Sequence, residues 1–203
     1  DRSPPRPATR AAANLLIALL LFAAALLTRW TALGSFSWPD EQKWLERSAA
    51  FVTALERGDL AGTYLADHPG VVPMWGFGGA LYLRAQITGD RAELDALAAK
   101  EHAGDYPALL ATAALFTVLF TSLTVVAAYA LLIPLLGRAG AVLGGLLLAL
   151  DPFYLTHSRV VHVDAVLSSA MLLSVLSLVL YLQRSAQGEN GTAARWRYLA
   201  LSG

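Results

Sequence analysis

The sequence contains no cysteine, which excludes disulfides, thiolate metal sites and thiol nucleophiles. Charge is scarce as well. Only 15% of its 203 residues are Asp, Glu, Lys or Arg, and the two signs cancel at neutral pH. A soluble domain carries about a quarter charged residues, so this chain falls well short. With no net positive charge there is no basic stripe to neutralise phosphates, and nucleic acid is excluded as a partner. No strand–helix alternation is visible, which excludes the doubly wound domain that binds nucleotide sugars. Repeats and low-complexity tracts are lacking too, apart from Ala/Leu-rich stretches and a Pro/Arg-rich start expected to be disordered.

Apolar residues are abundant instead: 56% of the chain is hydrophobic. Ala11 to Thr28 carries no charge, Arg29 and Trp30 follow as an interfacial pair, and the first membrane crossing is placed over residues 14–33. A secretory signal peptide is the competing reading, given Arg2, Arg6 and Arg10 ahead of it. The later apolar segments already commit the chain to the bilayer. Residues 106–137 are uncharged and form the second crossing; Arg138 marks a tight turn; residues 139–157 and 164–183 form the third and fourth. Residues 1–13 are expected to be a cytoplasmic tail, and 184–203 a cytoplasmic loop that starts a fifth helix. The chain begins at Asp1 and stops as an apolar segment begins, which reads as a piece of a longer protein.

If the crossings alternate, Arg2, Arg6, Arg10, Arg138, Arg184, Arg195 and Arg197 share one side, which should be cytoplasmic. The opposite side then receives residues 34–105, with six basic residues against eleven acids, and the short turn from His157 to Asp164. The fold class expected is all-α: a polytopic transmembrane helix bundle with amphipathic helices in its first extracytoplasmic loop. One of these starts at Trp38-Pro39-Asp40-Glu41 and ends at Gly58, with Trp44 and Phe51 expected to dip into the headgroup zone.

Two clusters of polar residues therefore fall on the outer face. Asp40 and Glu41 occupy the first turn of a helix, where acids favour the positive end of the dipole. The same position keeps a carboxylate ionised, as a general base requires, so capping and catalysis coexist. His68-Pro69-Gly70 forms a tight turn, and His68 is either a turn residue or a ligand. The stretch from Arg91 to His102 reads as a solvated helix. At the mouth of the third and fourth crossings stand Arg159 and Asp164, and charges at membrane depth usually face a protein interior or an aqueous cavity. Arg159 could pair with the acids or bind a phosphate bidentately, and Asp164 could simply cap the fourth crossing. Asp151 precedes Pro152 and either ends a helix or serves the site. His157 and His162 are five apart, which does not suit a helical metal pair.

Taken in order, Trp38-Pro39-Asp40-Glu41, His68-Pro69-Gly70 with Met74-Trp75, Leu150-Asp151-Pro152-Phe153, His157-Ser158-Arg159 and Asp164 resemble the N-terminal part of a GT-C superfamily membrane glycosyltransferase. The likeness is to the protein O-mannosyltransferase-like group, which uses phospholipid-linked sugars. The resemblance implies transfer of a sugar from a polyprenyl phosphate, of dolichyl type, to a glycan, lipid or protein acceptor. The reaction would proceed with inversion on the extracytoplasmic face of the plasma membrane. It implies Asp40 as base, Glu41 as a supporting charge, and His68, Arg159 and Asp164 as substrate-binding residues. Some relatives bind a divalent metal and others do not, so the resemblance assigns no metal ligand here. The alternative class is a secondary transporter or channel with Asp151, Arg159 and Asp164 lining a pathway.

Overall fold

The computed structural model describes residues 7–31, 33–35, 37–65, 70–101, 104–187 and 193–202, and every regular element among them is helical. The helices are α1 (Pro7–Trp30), α2 (Glu41–Glu56), α3 (Val71–Thr88), α4 (Arg91–Ala98), α5 (Tyr106–Leu150), α6 (Pro152–His157), α7 (Asp164–Ala186) and α8 (Ala193–Leu201). Three of them, over Ala8–Trp30, Tyr106–Leu150 and Asp164–Ala186, are long and apolar enough to cross a membrane. The chain is an all-α polytopic membrane protein. It divides into two compact units.

The first unit comprises Asp1–Thr28, Thr121–Pro152 and Leu167–Gly203. It holds most of α5, whose 45 residues begin in the second unit. Drawn straight at 1.5 Å per residue this helix would reach about 68 Å, more than twice a hydrocarbon core of about 30 Å. It does not run straight. Gly137 has φ 70° and ψ 175°, a backbone conformation open essentially only to glycine, and Pro134 removes a helical hydrogen bond just before it. Beyond this break the chain folds back. A Cβ placed on Gly144 would lie 2.7 Å from Leu132 Cδ1, although twelve residues of straight helix would separate the two by about 18 Å. The two arms enclose a small core in which Val125 and Tyr129 meet Ala141 and Ala149, with Leu21 and Ala25 of α1 completing it. Arg138, just past the reversal, donates from Nε to Asn14 Oδ1 (2.9 Å) and from Nη2 to the Arg10 carbonyl (3.4 Å). A Cβ on Gly145 would approach Leu21 Cδ1 to 2.8 Å, so α1 runs parallel to the second arm of α5.

The second unit comprises Arg29–Phe120 and Phe153–Val166. Its core is built from Trp44, Leu45 and Phe51 of α2, Phe77 and Leu81 of α3, Leu94 and Leu97 of α4, the start of α5, and Val161. Trp44 and Phe51 are each only 5% exposed, so they do not dip into the headgroup zone as the sequence suggested. The reason is that α3 and α4 pack against α2 and give those rings a protein surface to bury against. Exposed apolar residues of this unit include Val71, Val72, Trp75, Leu83 and Ile87 of α3. Around the core, Arg91 bridges from α4 to Glu56 of α2 while holding Asp95, and Arg84 of α3 pairs with Glu93 of α4 at 3.1 Å. Asp90 caps α4 by accepting from the Glu93 N–H, and Gly89, in the left-handed region at φ 73°, closes α3.

Candidate active site

The two adjacent acids of the Trp38–Glu41 turn have different surroundings. Glu41 is 2% exposed. Its Oε2 accepts from the Trp38 N–H at 2.6 Å, reaching back over the turn in the manner of a capping box, and its Oε1 accepts from the Val161 N–H at 2.7 Å. One carboxylate thus ties the start of α2 to a segment 120 residues further along the chain. Asp40, at the N-cap of α2, has a side chain 50% exposed and bonds Lys43 Nζ at 3.0 Å. That hydrogen bond and the charge of Lys43 hold the Asp40 carboxyl below the usual carboxylate range, with smaller contributions from His162 and Arg47. Asp40 is ionised and open to solvent; Glu41 is enclosed.

Asp40 opens onto a cavity of about 220 Å³ lined by Trp38, Asp40, Thr156, His157, Val160, His162 and Asp164. The far wall is the 156–164 segment, shaped by local bonds. Ser158 is fully buried and donates from Oγ to the Tyr154 carbonyl at 2.6 Å, which tightens the turn after α6. Asp164 begins α7 and sets its Oδ2 3.1 Å from His162 Nδ1. The His162 ring stands edge-on to Trp44, with centroids 5.9 Å apart. His157 is held at Nδ1 by the Phe153 carbonyl and lies over the Phe153 ring.

Arg159 is absent from the residues lining this cavity. Its Nη2 donates to Thr31 Oγ1 at 3.2 Å, and its guanidinium lies within Coulombic reach of Arg29. Arg29 is fully buried, 5.2 Å from the centroid of the Tyr154 ring. The structure thus brings together Asp40, Asp164 and the turn bearing Arg159, with Glu41 beneath them. His68 lies outside the described residues. Gly70, two residues further on, rests on Trp44, where a Cβ would collide with the indole ring. Among the described residues no group of three or more His, Asp or Glu is arranged to hold a metal ion.

Sequence reasoning weighed His162 only as half of a metal pair and Arg29 only as an interfacial residue. The usable signal for His162 was its spacing of two from Asp164, which lets an imidazole meet a carboxylate across a helix start. For Arg29 the signal was a guanidinium at the last turn of a membrane-length helix, where burial demands partners.

Helices long and apolar enough to cross a membrane define an integral membrane protein. Residues 77–203 match the family described as dolichyl-phosphate-mannose-protein mannosyltransferase, and the chain belongs to that family. No curated protein and no solved structure matches it. The chain is therefore a membrane glycosyltransferase of the class that takes mannose from dolichyl phosphate mannose, which sets aside the transporter alternative. The match includes the cavity wall from Thr156 to Asp164, while Asp40 and Glu41 precede it.

Proposed function

We propose that the chain transfers mannose from dolichyl phosphate mannose to an acceptor hydroxyl, with inversion and with Asp40 as base, on the extracytoplasmic face of the plasma membrane. The donor keeps its isoprenoid tail in the bilayer and its phosphate at the interface, so the reacting carbon stands just outside the hydrocarbon. Asp40 takes the proton of the acceptor hydroxyl, the freed oxygen pair bonds to the anomeric carbon, and the carbon–oxygen bond to phosphate breaks with its electrons on the phosphate. Arg159, beside Arg29, is the cation suited to that leaving phosphate. Glu41, whose oxygens already serve two backbone N–H groups, positions Asp40 and the 161 turn. His68 and Asp164 complete the substrate-binding set, and the acceptor is a protein, a glycan or a lipid.

The observation that carries this reading is the environment of Asp40: an ionised, half-exposed carboxylate on the rim of a cavity of about 220 Å³. The sidedness is supported by Arg10 and Arg138 meeting at one end of the first unit, the end expected to stay cytoplasmic. Asp40 then follows the opposite end of α1 by ten residues. The test is Asp40→Asn in the protein in membranes, assayed for transfer from dolichyl phosphate mannose. General bases contribute about 10²–10⁴-fold, so kcat should fall by that order while the donor still binds. Transfer at the wild-type rate would remove Asp40 as base.

A further inference from the structure

The cavity holds a second acid–base pair to which the proposed reaction gives no proton-transfer role. His162 Nδ1 stands 3.1 Å from Asp164 Oδ2, and both residues line the cavity that Asp40 opens onto. Nδ1 is also 3.4 Å from the Asp164 N–H, a longer and weaker approach than the carboxylate contact. The carboxylate selects the tautomer with its proton on Nδ1, which leaves Nε2 as the nitrogen carrying a lone pair. The ring cannot drift freely, because it stands edge-on to the buried Trp44, and Trp44 is itself packed under Gly70. An imidazole backed by a carboxylate and braced by an aromatic ring is an oriented proton acceptor.

We propose that His162, oriented by Asp164, is the second proton-handling residue of this site and receives from Asp40 the proton that the acceptor hydroxyl gives up. This step rests on the reading of Asp40 as base. The acceptor O–H bond breaks toward the Asp40 carboxylate as the oxygen attacks the anomeric carbon. The proton then passes from the Asp40 carboxyl to His162 Nε2, Asp40 is again an anion, and the imidazolium formed is balanced by Asp164. His162 later releases the proton to water. The placement makes chemical sense because Lys43 favours the anion of Asp40, so Asp40 is a poor resting place for a proton. Imidazole changes charge in the physiological range. The titratable groups lining the cavity with the ring are Asp40, His157 and Asp164, and Lys43 and Arg47 act on Asp40 from α2.

The experiment compares wild type, His162→Gln, His162→Ala and Asp164→Asn in membranes, measuring kcat, KM for the donor, and their pH dependence. A relay predicts roughly a 10–100-fold fall in kcat for His162→Gln with KM little changed, and the loss of one ionisation from the pH profile. Asp164→Asn should lower kcat in the same direction by disfavouring the active tautomer. Added imidazole should restore part of the turnover of His162→Ala, a rescue that a purely structural role would not give. A His162→Gln enzyme with the wild-type kcat and pH profile overturns the proposal, and so does an inactive His162→Ala that imidazole leaves inactive. The two readings fail separately. If Asp40→Asn stays active while His162→Ala is dead and rescued, the base is His162 and the Asp40 reading falls. If Asp40→Asn is dead and His162→Gln is normal, only the relay falls.

Discussion

In the second unit, side chains of opposite charge meet repeatedly: Arg91 with Glu56 and Asp95, Arg84 with Glu93, Lys43 with Asp40. In the first unit, by contrast, Arg138 is held by the amide oxygen of Asn14 and the carbonyl of Arg10, and Arg184 lies over the Tyr198 ring. The first unit sets Arg138 on neutral acceptors beside the backbone reversal at Gly137 and packs α1 and α5 through small apolar residues. The second unit fastens short helices to one another with charge and encloses one carboxylate completely. Membrane-length helices make up most of the first unit and short helices most of the second, and the two call for different fastenings. Within hydrocarbon an unpaired charge is costly and a close-packed apolar contact is dependable, whereas at a wet rim a carboxylate can serve either as a fastener or as a reactive group.

The sharpest way to break this comparison is at Glu41. Glu41→Ala leaves the buried N–H of Val161 without its acceptor and removes the back-bond to Trp38, with an expected loss of about 2–4 kcal/mol. Thermal unfolding in detergent would show it as a lower midpoint, with Asp40→Asn as a control that barely moves. An unchanged midpoint would mean that the enclosed carboxylate is not a fastener. For the first unit the matching change is Gly137→Ala. An alanine at φ 70°, ψ 175° is strained by about 1–3 kcal/mol, so the same assay should show a smaller fall. If Gly137→Ala were as stable as wild type, the reversal would not depend on glycine.

The mildest change concerns charge alone. Lys43→Met removes the ammonium that lowers the Asp40 pKa, so Asp40 becomes easier to protonate. A base works only when ionised, and the acid limb of kcat/KM should therefore move to higher pH, leaving the rate at alkaline pH largely unchanged. An acid limb that stays in place would separate Asp40 from the titration seen in catalysis.

The membrane character, the all-helical class and the glycosyltransferase family could be read from charge-free stretches and from the order of the polar motifs. The resemblance gave Asp40 and Glu41 different roles, but the residues themselves did not show which carboxylate would be enclosed and which left open. Asp40 and Glu41 are neighbours with nearly the same local propensity, and their fates differ because an N–H from residue 161 happens to reach only one of them. Long-range contacts of that kind leave no mark in the local sequence. Trp44 and Phe51 were misdirected for a related reason: an amphipathic period shows that a helix has an apolar face, but not whether lipid or protein covers it. The pairing of His162 with Asp164 was missed because Asp164 was weighed as a helix cap or a substrate-binding residue and His162 as half of a metal pair.

The enclosed acid has a further consequence for genetics. A survey replacing every carboxylate in turn would find Glu41 indispensable and would count it beside Asp40 as a chemical participant. Yet this side chain is 2% exposed and each of its oxygens already accepts a backbone N–H, which suits a holding role. If Glu41 is the fastener proposed above, silence after its replacement would report an unlatched cavity wall, with Val160, His162 and Asp164 displaced together while Asp40 stayed in place.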